Sequence, residues 1–192
     1  MAAKVYILDS APAPWGDYGS ILLHGMSMHL ARQDGLIQLE RTGPFMPPIT
    51  FPSGENVVKA WLRERLLSSG LTGFSFAPVI KRHIARLDWH LWDRAAEEPQ
   101  EHPESGEPED YILSRPHSEQ ASRMIADVFE LVPQEVATID RTSGFRIVPD
   151  SWGSADIFFG RGARVTFVSD HAREWLTSTV GEHVAFKPAQ VA

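Results

Sequence analysis

The feature that most constrains this chain is a sequence pattern that occurs twice. One copy, TFPSGENVVKAWL followed by FSFAP, lies within Thr50–Pro78, and the other, TFVSDHAREWL followed by VAFKP, lies within Thr166–Pro188. Both copies have a Thr-Phe pair followed by a serine, then a Trp-Leu pair, then a Phe-x-Pro triplet, although the first copy is longer by a few residues. Three ordered matches over such spans favour a degenerate duplication over chance.

Each copy predicts a strand, a capped helix and a short strand. β-Branched and aromatic residues around the Thr-Phe pair are typical of strands, and Ser53 or Ser169 then stands where its side-chain oxygen can cap a helix. Apolar residues follow at helical spacing in both copies: Val57, Val58, Trp61, Leu62 and Leu66 in the first, and Ala172, Trp175 and Leu176 in the second. We therefore expect the two tryptophans to turn into the core.

The rest of the chain indicates more strands than helices. Strands are expected at Lys4–Leu8, Leu36–Leu39, Val79–Trp92, Phe145–Val148, Asp156–Phe159 and Ala163–Val168, with Gly160-Arg161-Gly162 as a hairpin turn. Ser118 predicts the cap of a helix that runs through Val132 and ends at Pro133, and the prolines of RTGPFMPP exclude regular structure there. The predicted class is α+β: mixed or antiparallel sheets with a few amphipathic helices, built around the duplicated strand–helix–strand unit.

The acidic residues are concentrated in one loop. The net charge is −7, and the stretch EEPQEHPESGEPED holds seven acids without a lysine or arginine, so the rest of the chain is electrically balanced. Its proline content and few apolar residues predict a mobile, solvated loop. We expect one globular domain, 1–192, with two pseudo-repeat halves, 1–95 and 111–192, as an option, joined by the loop 96–110. A solvated connection is the favoured interpretation, and attraction of a basic partner is the alternative.

Composition and motifs exclude several classes of chemistry. The chain lacks cysteine, which removes disulfides, thiolate ligands and a cysteine nucleophile. It also lacks a GxxxxGK[ST] phosphate loop, a GxSxG elbow and the His spacing of an HExxH zinc site. We therefore expect no catalytic residues, no cofactor and no metal. Neither a secretion signal, a membrane span nor a concentrated basic face for nucleic acid is found, so the expected location is the cytoplasm.

Several strings resemble the immunity proteins of bacterial polymorphic toxin systems. These are LERTGPFMPPITFP, GLTGFSFAPVIKRH, LDWHLWD, and SWGSADIFFG followed by FVSDHAREWL and VAFKPA. The group they resemble is immunity family eleven, formerly a domain of unknown function, whose members carry an Asp-(Ile/Leu)-Phe triplet, here Asp156-Ile157-Phe158. The resemblance spans most of the chain from about Leu36 onward. It implies a cytoplasmic protein, not an enzyme, that binds a cognate toxin and neutralises it.

If the chain binds a toxin, acidic and aromatic residues are the candidate contacts. Interfaces of high affinity use a few aromatic or arginine anchors within a polar rim, and acids speed the capture of a basic partner. The candidate partner-binding residues are Glu101, Glu104, Glu107, Glu109, Asp110, Trp89, Trp92 and Trp152. The identity of the toxin and the oligomeric state are not encoded in any recognisable pattern.

Two other classes of function stay open on sequence grounds. One is a small-molecule-binding or enzymatic α+β domain, in which His83, Asp88 and His90 line a pocket. The other is a structural subunit that uses the duplicated unit for symmetric contacts.

Overall fold

A computed structural model describes residues 4–27, 29–142 and 145–192 of the chain. Within these residues the strands are β1 Val5–Ser10, β2 Gln38–Gly43, β3 Ile49–Thr50, β4 Val57–Lys59, β5 Phe74–Pro78, β6 Ile80–Arg86, β7 Val128–Ala137, β8 Ile139–Asp140, β9 Arg146–Ile147, β10 Ile157–Gly160, β11 Ala163–Ser169 and β12 Val184–Pro188. The helices are α1 Asp17–His24, α2 Ala60–Leu67, α3 Asp110–Leu113, α4 Glu119–Ile125 and α5 Asp170–Val180. Sheets with parallel and antiparallel pairs accompany these helices, which confirms the α+β class.

The chain forms two compact units whose segments alternate along the sequence. The terminal unit comprises Met1–Ala11, Trp61–Phe76 and Leu131–Ala192, and the central unit comprises Pro12–Ala60 and Ala77–Glu130. Each unit therefore takes segments from both sides of the acidic loop 96–110. The loop itself lies inside the central unit.

The terminal unit is built on a mixed sheet. Its strand order is β12, β1, β11, β10 and β7, with β10 parallel to β7 and the other neighbouring pairs antiparallel. Helix α5 packs on β1, β11 and β12. The core beneath contains Val5, Ala137, Ile147, Trp152, Phe158 and Phe167. Alternation along the strands brings Val5, Ala137, Phe158 and Phe167 onto one face of the sheet. Ile147 of β9 and Trp152, which lies in a turn, belong to the same cluster.

The central unit combines a parallel strand pair with helices. Strands β2 and β6 pair in parallel, and helices α1, α3 and α4 pack against one or both of them. The first residues of β7 pair with β4, which also pairs with β3. One buried cluster contains Ile37, Leu39, Met46, Val57, Ile84, Ala121, Ile125 and Val128, and a second contains Leu22, Trp89 and Tyr111.

The second copy of the repeat has the predicted structure. Strand β11 leads into α5, whose cap is Ser169: its hydroxyl accepts a hydrogen bond from the N–H of Ala172 at 3.1 Å. Strand β12 follows. Both β11 and β12 pair with β1, so the helix connects two strands that flank a common neighbour. The predicted cap at Ser118 and the hairpin turn at Gly160–Gly162 are also confirmed.

The prediction for the first copy is wrong in its middle. Val57 and Val58 belong to β4 and are fully buried, and α2 begins only at Ala60. Ser53 does not cap that helix, because it lies in a 3-10 turn with φ 50°. Its hydroxyl accepts from the N–H of Ser27 at 3.2 Å instead. Two adjacent β-branched residues favour a strand when both faces of that strand are buried, because their side chains point to opposite faces.

The tryptophans of the repeat are not the core residues that the pattern predicted. Trp61 is 42% exposed, and Trp175 is half-buried with the guanidinium of Arg65 5.8 Å from its ring centroid. Fully buried leucines, Leu62 and Leu176, come directly after each tryptophan. The Trp-Leu pair therefore turns its leucine inward.

The helix after Ser118 is shorter than expected. It ends at Ile125 because Ala126 adopts φ 62° and ψ −157°, backbone angles with which a helix cannot continue. Residues 128–132, expected to be helical, start the long strand β7, which contains Pro133. Pro133 falls between the stretch that pairs with β4 and the stretch that pairs with β10, where its missing N–H is tolerated.

Candidate partner-binding surface

The seven acids of the loop 96–110 present their charges to solvent. Five of them are exposed, namely Glu97, Glu98, Glu101, Glu104 and Glu107. The other two, Glu109 and Asp110, are half-buried where α3 begins. Asp110 lies in the first turn of α3, where a negative charge is favourable. The acidic residues predicted to bind a partner therefore lie on one short stretch of surface.

Aromatic side chains tie down the backbone of this loop. The indole N–H of Trp15 donates to the carbonyl of Ala96 at 3.0 Å, and the hydroxyl of Tyr18 donates to the carbonyl of Gly106 at 2.7 Å. The hydroxyl of Tyr111 donates to the carbonyl of Glu101. The backbone of the loop is thus hydrogen-bonded near its start, middle and end, which its composition does not predict, while most of its acids are exposed to solvent as expected.

Burial extends the pH range over which the Tyr111 hydroxyl can donate. Desolvation, followed by the negative charge of Glu101, raises the pKa of Tyr111 from 10.0 to about 12. The hydroxyl therefore stays protonated up to a higher pH than that of an ordinary tyrosine. The ring itself is fully buried.

The loop and α3 enclose an acidic groove of about 560 Å³. Its lining consists of Glu101, His102, Pro103, Glu104, Ser105, Asp110, Ser114 and Arg115. Arg115 is the cation of this lining; it forms an ion pair with Glu101 and lies 5.8 Å from the Tyr111 ring centroid. Three carboxylates against one guanidinium leave the groove negative, so that it suits a cationic group of a partner.

Half-exposed and exposed apolar residues accompany the loop. Trp92 is half-buried, with its ring 5.9 Å from Trp15 and 6.2 Å from Tyr111. Leu91, next to it in the chain, is 77% exposed. We call the acidic surface the groove with its carboxylates Glu101, Glu104 and Asp110, together with Trp92, whose ring contacts Tyr111, and the exposed Leu91 that precedes it.

Two of the candidate tryptophans are core residues. Trp89 is fully buried in the central unit, where its ring meets Phe45 edge-on at 5.3 Å. Trp152 is 8% exposed in the terminal unit and stacks on Phe158 at 5.7 Å. Neither ring is available as a surface anchor. Of the three candidate tryptophans, Trp92 alone keeps partial exposure.

No sequence pattern indicates that Tyr18, Tyr111 and Arg115 contact the acidic loop. Their only local signal is proximity: Tyr111 and Arg115 directly follow the acidic loop, whereas Tyr18 precedes it by about eighty residues. A hydrogen bond between Tyr18 and Gly106 depends on tertiary structure, which no local pattern encodes.

The Asp156-Ile157-Phe158 triplet is a structural junction of the terminal unit. One carboxylate oxygen of Asp156 accepts from the Ser169 hydroxyl at 2.7 Å, and the other accepts from the backbone N–H of Thr72 at 3.0 Å. Ile157 and Phe158 are fully buried. His171 approaches the same carboxylate at 3.5 Å. Since Ser169 also caps α5, this arrangement joins three segments and serves folding.

The three residues suggested for a small-molecule pocket have separate contacts. The Nε2 atom of His83 lies 2.9 Å from the carbonyl of Arg115, His90 stacks on Phe45 at 5.4 Å, and Asp88 lies 3.5 Å from Arg86. These contacts do not converge on a common point.

The described residues contain neither a metal-binding cluster nor a membrane-spanning helix. In that part of the chain, no three or more His, Asp or Glu side chains are arranged to hold a metal ion. None of the helices in the described ranges has the length and apolar character needed to cross a membrane.

Comparison of the chain with known protein families, curated proteins and solved structures found no match.

Proposed function

We propose that this protein is an immunity protein of a bacterial toxin system, which neutralises a cognate toxin by binding it through the acidic surface. The observation that carries the proposal is the anchored acidic loop. Composition alone would make this loop a flexible tether, yet Trp15, Tyr18 and Tyr111 fix its backbone. A charged loop that is held in one conformation can present its carboxylates to a partner that recognises that conformation.

Anchoring the loop lowers the cost of binding. A flexible loop loses conformational freedom when it is captured, at about 0.5–1.5 kcal/mol for each immobilised side chain and more for backbone. Since the loop is already held in the free protein, part of this cost is met during folding. Neutralising a lethal enzyme requires a Kd of about nanomolar or lower, so such a saving matters.

The charge and the apolar residues have different roles in the proposal. Exposed carboxylates raise the rate of encounter with a basic toxin and lose that effect in salt. Leu91 and Trp92 supply the apolar contact that slows dissociation, because aromatic side chains bury a large area on binding.

The proposal is tested by protection in cells. The open reading frame beside this gene is identified first, and a neighbour without a toxin domain would count against the immunity function. A toxin domain found there is induced in a bacterial host that expresses either the wild-type chain or the variant Glu101→Gln/Glu104→Gln/Asp110→Asn. The control variant, Glu64→Gln/Glu174→Gln/Glu182→Gln, neutralises three exposed acids of the terminal unit. We expect the wild type and the control to restore growth and the first variant to lose at least tenfold in protection. Equal protection by both variants would show that the acidic surface is not the toxin-binding site. Failure of the wild type to protect would argue against the immunity function itself.

A further inference from the structure

Arg41 of β2 is a buried cation without a counter-charge. It is fully buried, and no ion pair joins it to a carboxylate among the described residues. Its Nε donates to the carbonyl of Thr42 at 2.9 Å, and its Nη2 donates to the carbonyls of Leu23 and Phe45 at 3.2 and 3.1 Å. Nη1 is buried, and no group in the described part of the chain bonds it. Such a charge is strongly unfavourable unless something compensates it.

Two more buried nitrogens, for which the described residues supply no partner, belong to rings that contact the same residue, Phe45. They are Nε1 of Trp89 and Nδ1 of His90. The Phe45 ring meets Trp89 edge-on at 5.3 Å and stacks on His90 at 5.4 Å, while its carbonyl accepts from Arg41. Guanidinium and indole nitrogens can only donate, and an imidazole nitrogen can donate in one of its tautomers. We call Arg41, Trp89 and His90 around Phe45 the Arg41 cluster.

The surroundings of the cluster are positive. The guanidinium of Arg94 lies 5.4 Å from the Phe45 ring centroid and 5.2 Å from that of Trp89. The charge of Arg41 also acts on Lys59, whose pKa is lowered first by burial and then by that charge. Burial lowers the pKa of Arg41 to about 9, which leaves it charged at neutral pH.

Acids near the cluster in sequence are engaged elsewhere. Glu40 pairs with His29 at 2.9 Å, and Asp88 lies 3.5 Å from Arg86. Asp93 accepts from the N–H of Ala95 at 3.0 Å. None of these contacts supplies an acceptor to Arg41. What the cluster lacks is therefore a negatively charged acceptor.

We propose that the Arg41 cluster binds a small inorganic anion such as chloride, which accepts hydrogen bonds from Nη1 of Arg41 and Nε1 of Trp89. The anion supplies both the missing acceptor and the missing charge. It is a small anion because the donor nitrogens are fully buried, so that the ligand is enclosed when the central unit folds. The site does not depend on the toxin-binding function.

The first test is thermal unfolding in chloride at constant ionic strength. Potassium gluconate replaces potassium chloride, since gluconate is too large for an enclosed site. Above the dissociation constant, each tenfold rise in chloride is expected to raise the midpoint by about 3–5 °C. Trp89→Phe keeps a ring but removes the N–H, and it should reduce this dependence. Trp92→Phe, which removes an indole N–H outside the cluster, should leave it unchanged.

The second test locates the anion directly. Crystals of the wild type grown in potassium bromide are expected to show an anomalous peak within hydrogen-bond distance of Nη1 of Arg41. Arg41→Met should remove the peak and the chloride dependence; if that variant does not fold, Trp89→Phe carries the comparison. A midpoint indifferent to chloride, or a water molecule in place of bromide, would overturn the proposal.

Discussion

Aromatic side chains of one type have very different surroundings in this protein. Trp89 is fully buried beside Phe45, Trp92 is half-buried beside the acidic loop, and Trp61 is 42% exposed. Burial of a ring contributes to stability roughly in proportion to the area that it removes from water. Position therefore decides which ring supports folding and which is free for contact.

Replacing the repeat tryptophan and its neighbour should have unequal effects. Because Trp61 is 42% exposed and Leu62 is fully buried, we expect Trp61→Ala to lower the free energy of unfolding by about 1 kcal/mol or less and Leu62→Ala by about 2–5 kcal/mol. Denaturant unfolding measures both. A larger loss for Trp61→Ala than for Leu62→Ala would mean that the tryptophan is the core residue.

The Tyr111 anchor should be visible in the pH dependence of stability. Its pKa is raised from 10.0 to about 12, so its contribution is complete below pH 10 and is lost as pH rises towards 12. Tyr111→Phe removes a hydrogen bond worth about 1 kcal/mol and should show a shallower fall in stability between pH 10 and 12. Unfolding curves across this range make the comparison. Parallel curves for the two proteins would contradict this account of the anchor.

Among the elements, those with strong local signals were predictable. Ser118 and Ser169 cap helices as their sequence context indicates, since a cap depends on residues only three apart. The strand at Val57 was mistaken for helix because two valines fit either pattern, and pairing with β7 decides between them. Pro133 was mistaken for the end of a helix. A strand can contain it because β4 pairs with the part of β7 before it and β10 with the part after it, and this pairing cannot be read from local sequence.

The cap of α5 offers a test at this scale. The Ser169 hydroxyl both accepts from Ala172 and donates to Asp156, so Ser169→Ala should cost about 1–2 kcal/mol. Ser178, exposed on the same helix, bonds only the carbonyl of Trp175 among the contacts described, and Ser178→Ala should be within about 0.5 kcal/mol of the wild type. Chemical denaturation of both variants provides the measurement. Equal effects would show that the Asp156 junction contributes nothing.

For the whole molecule, the fold class was predictable and the division into units was not. The class follows from counting strands and helices, which local patterns supply. The units alternate along the chain because β1 pairs with β11 and β12, more than 150 residues away in sequence, and such pairing leaves no local trace. The acidic residues of the candidate surface were visible in the sequence, whereas the anchors Tyr18 and Tyr111 were not, because their bonds to Gly106 and Glu101 exist only in the folded chain.

The association rate with the toxin tests the central claim most directly. Stopped-flow mixing of the toxin domain with the wild type, the groove variant Glu101→Gln/Glu104→Gln/Asp110→Asn and the terminal-unit control variant is carried out at low and at physiological salt. If the acidic surface captures a basic toxin, the wild-type and control rates fall together as salt screens charges beyond about 8 Å, and the groove variant is slower and less sensitive to salt. An association rate that ignores both salt and the groove substitutions would contradict the account.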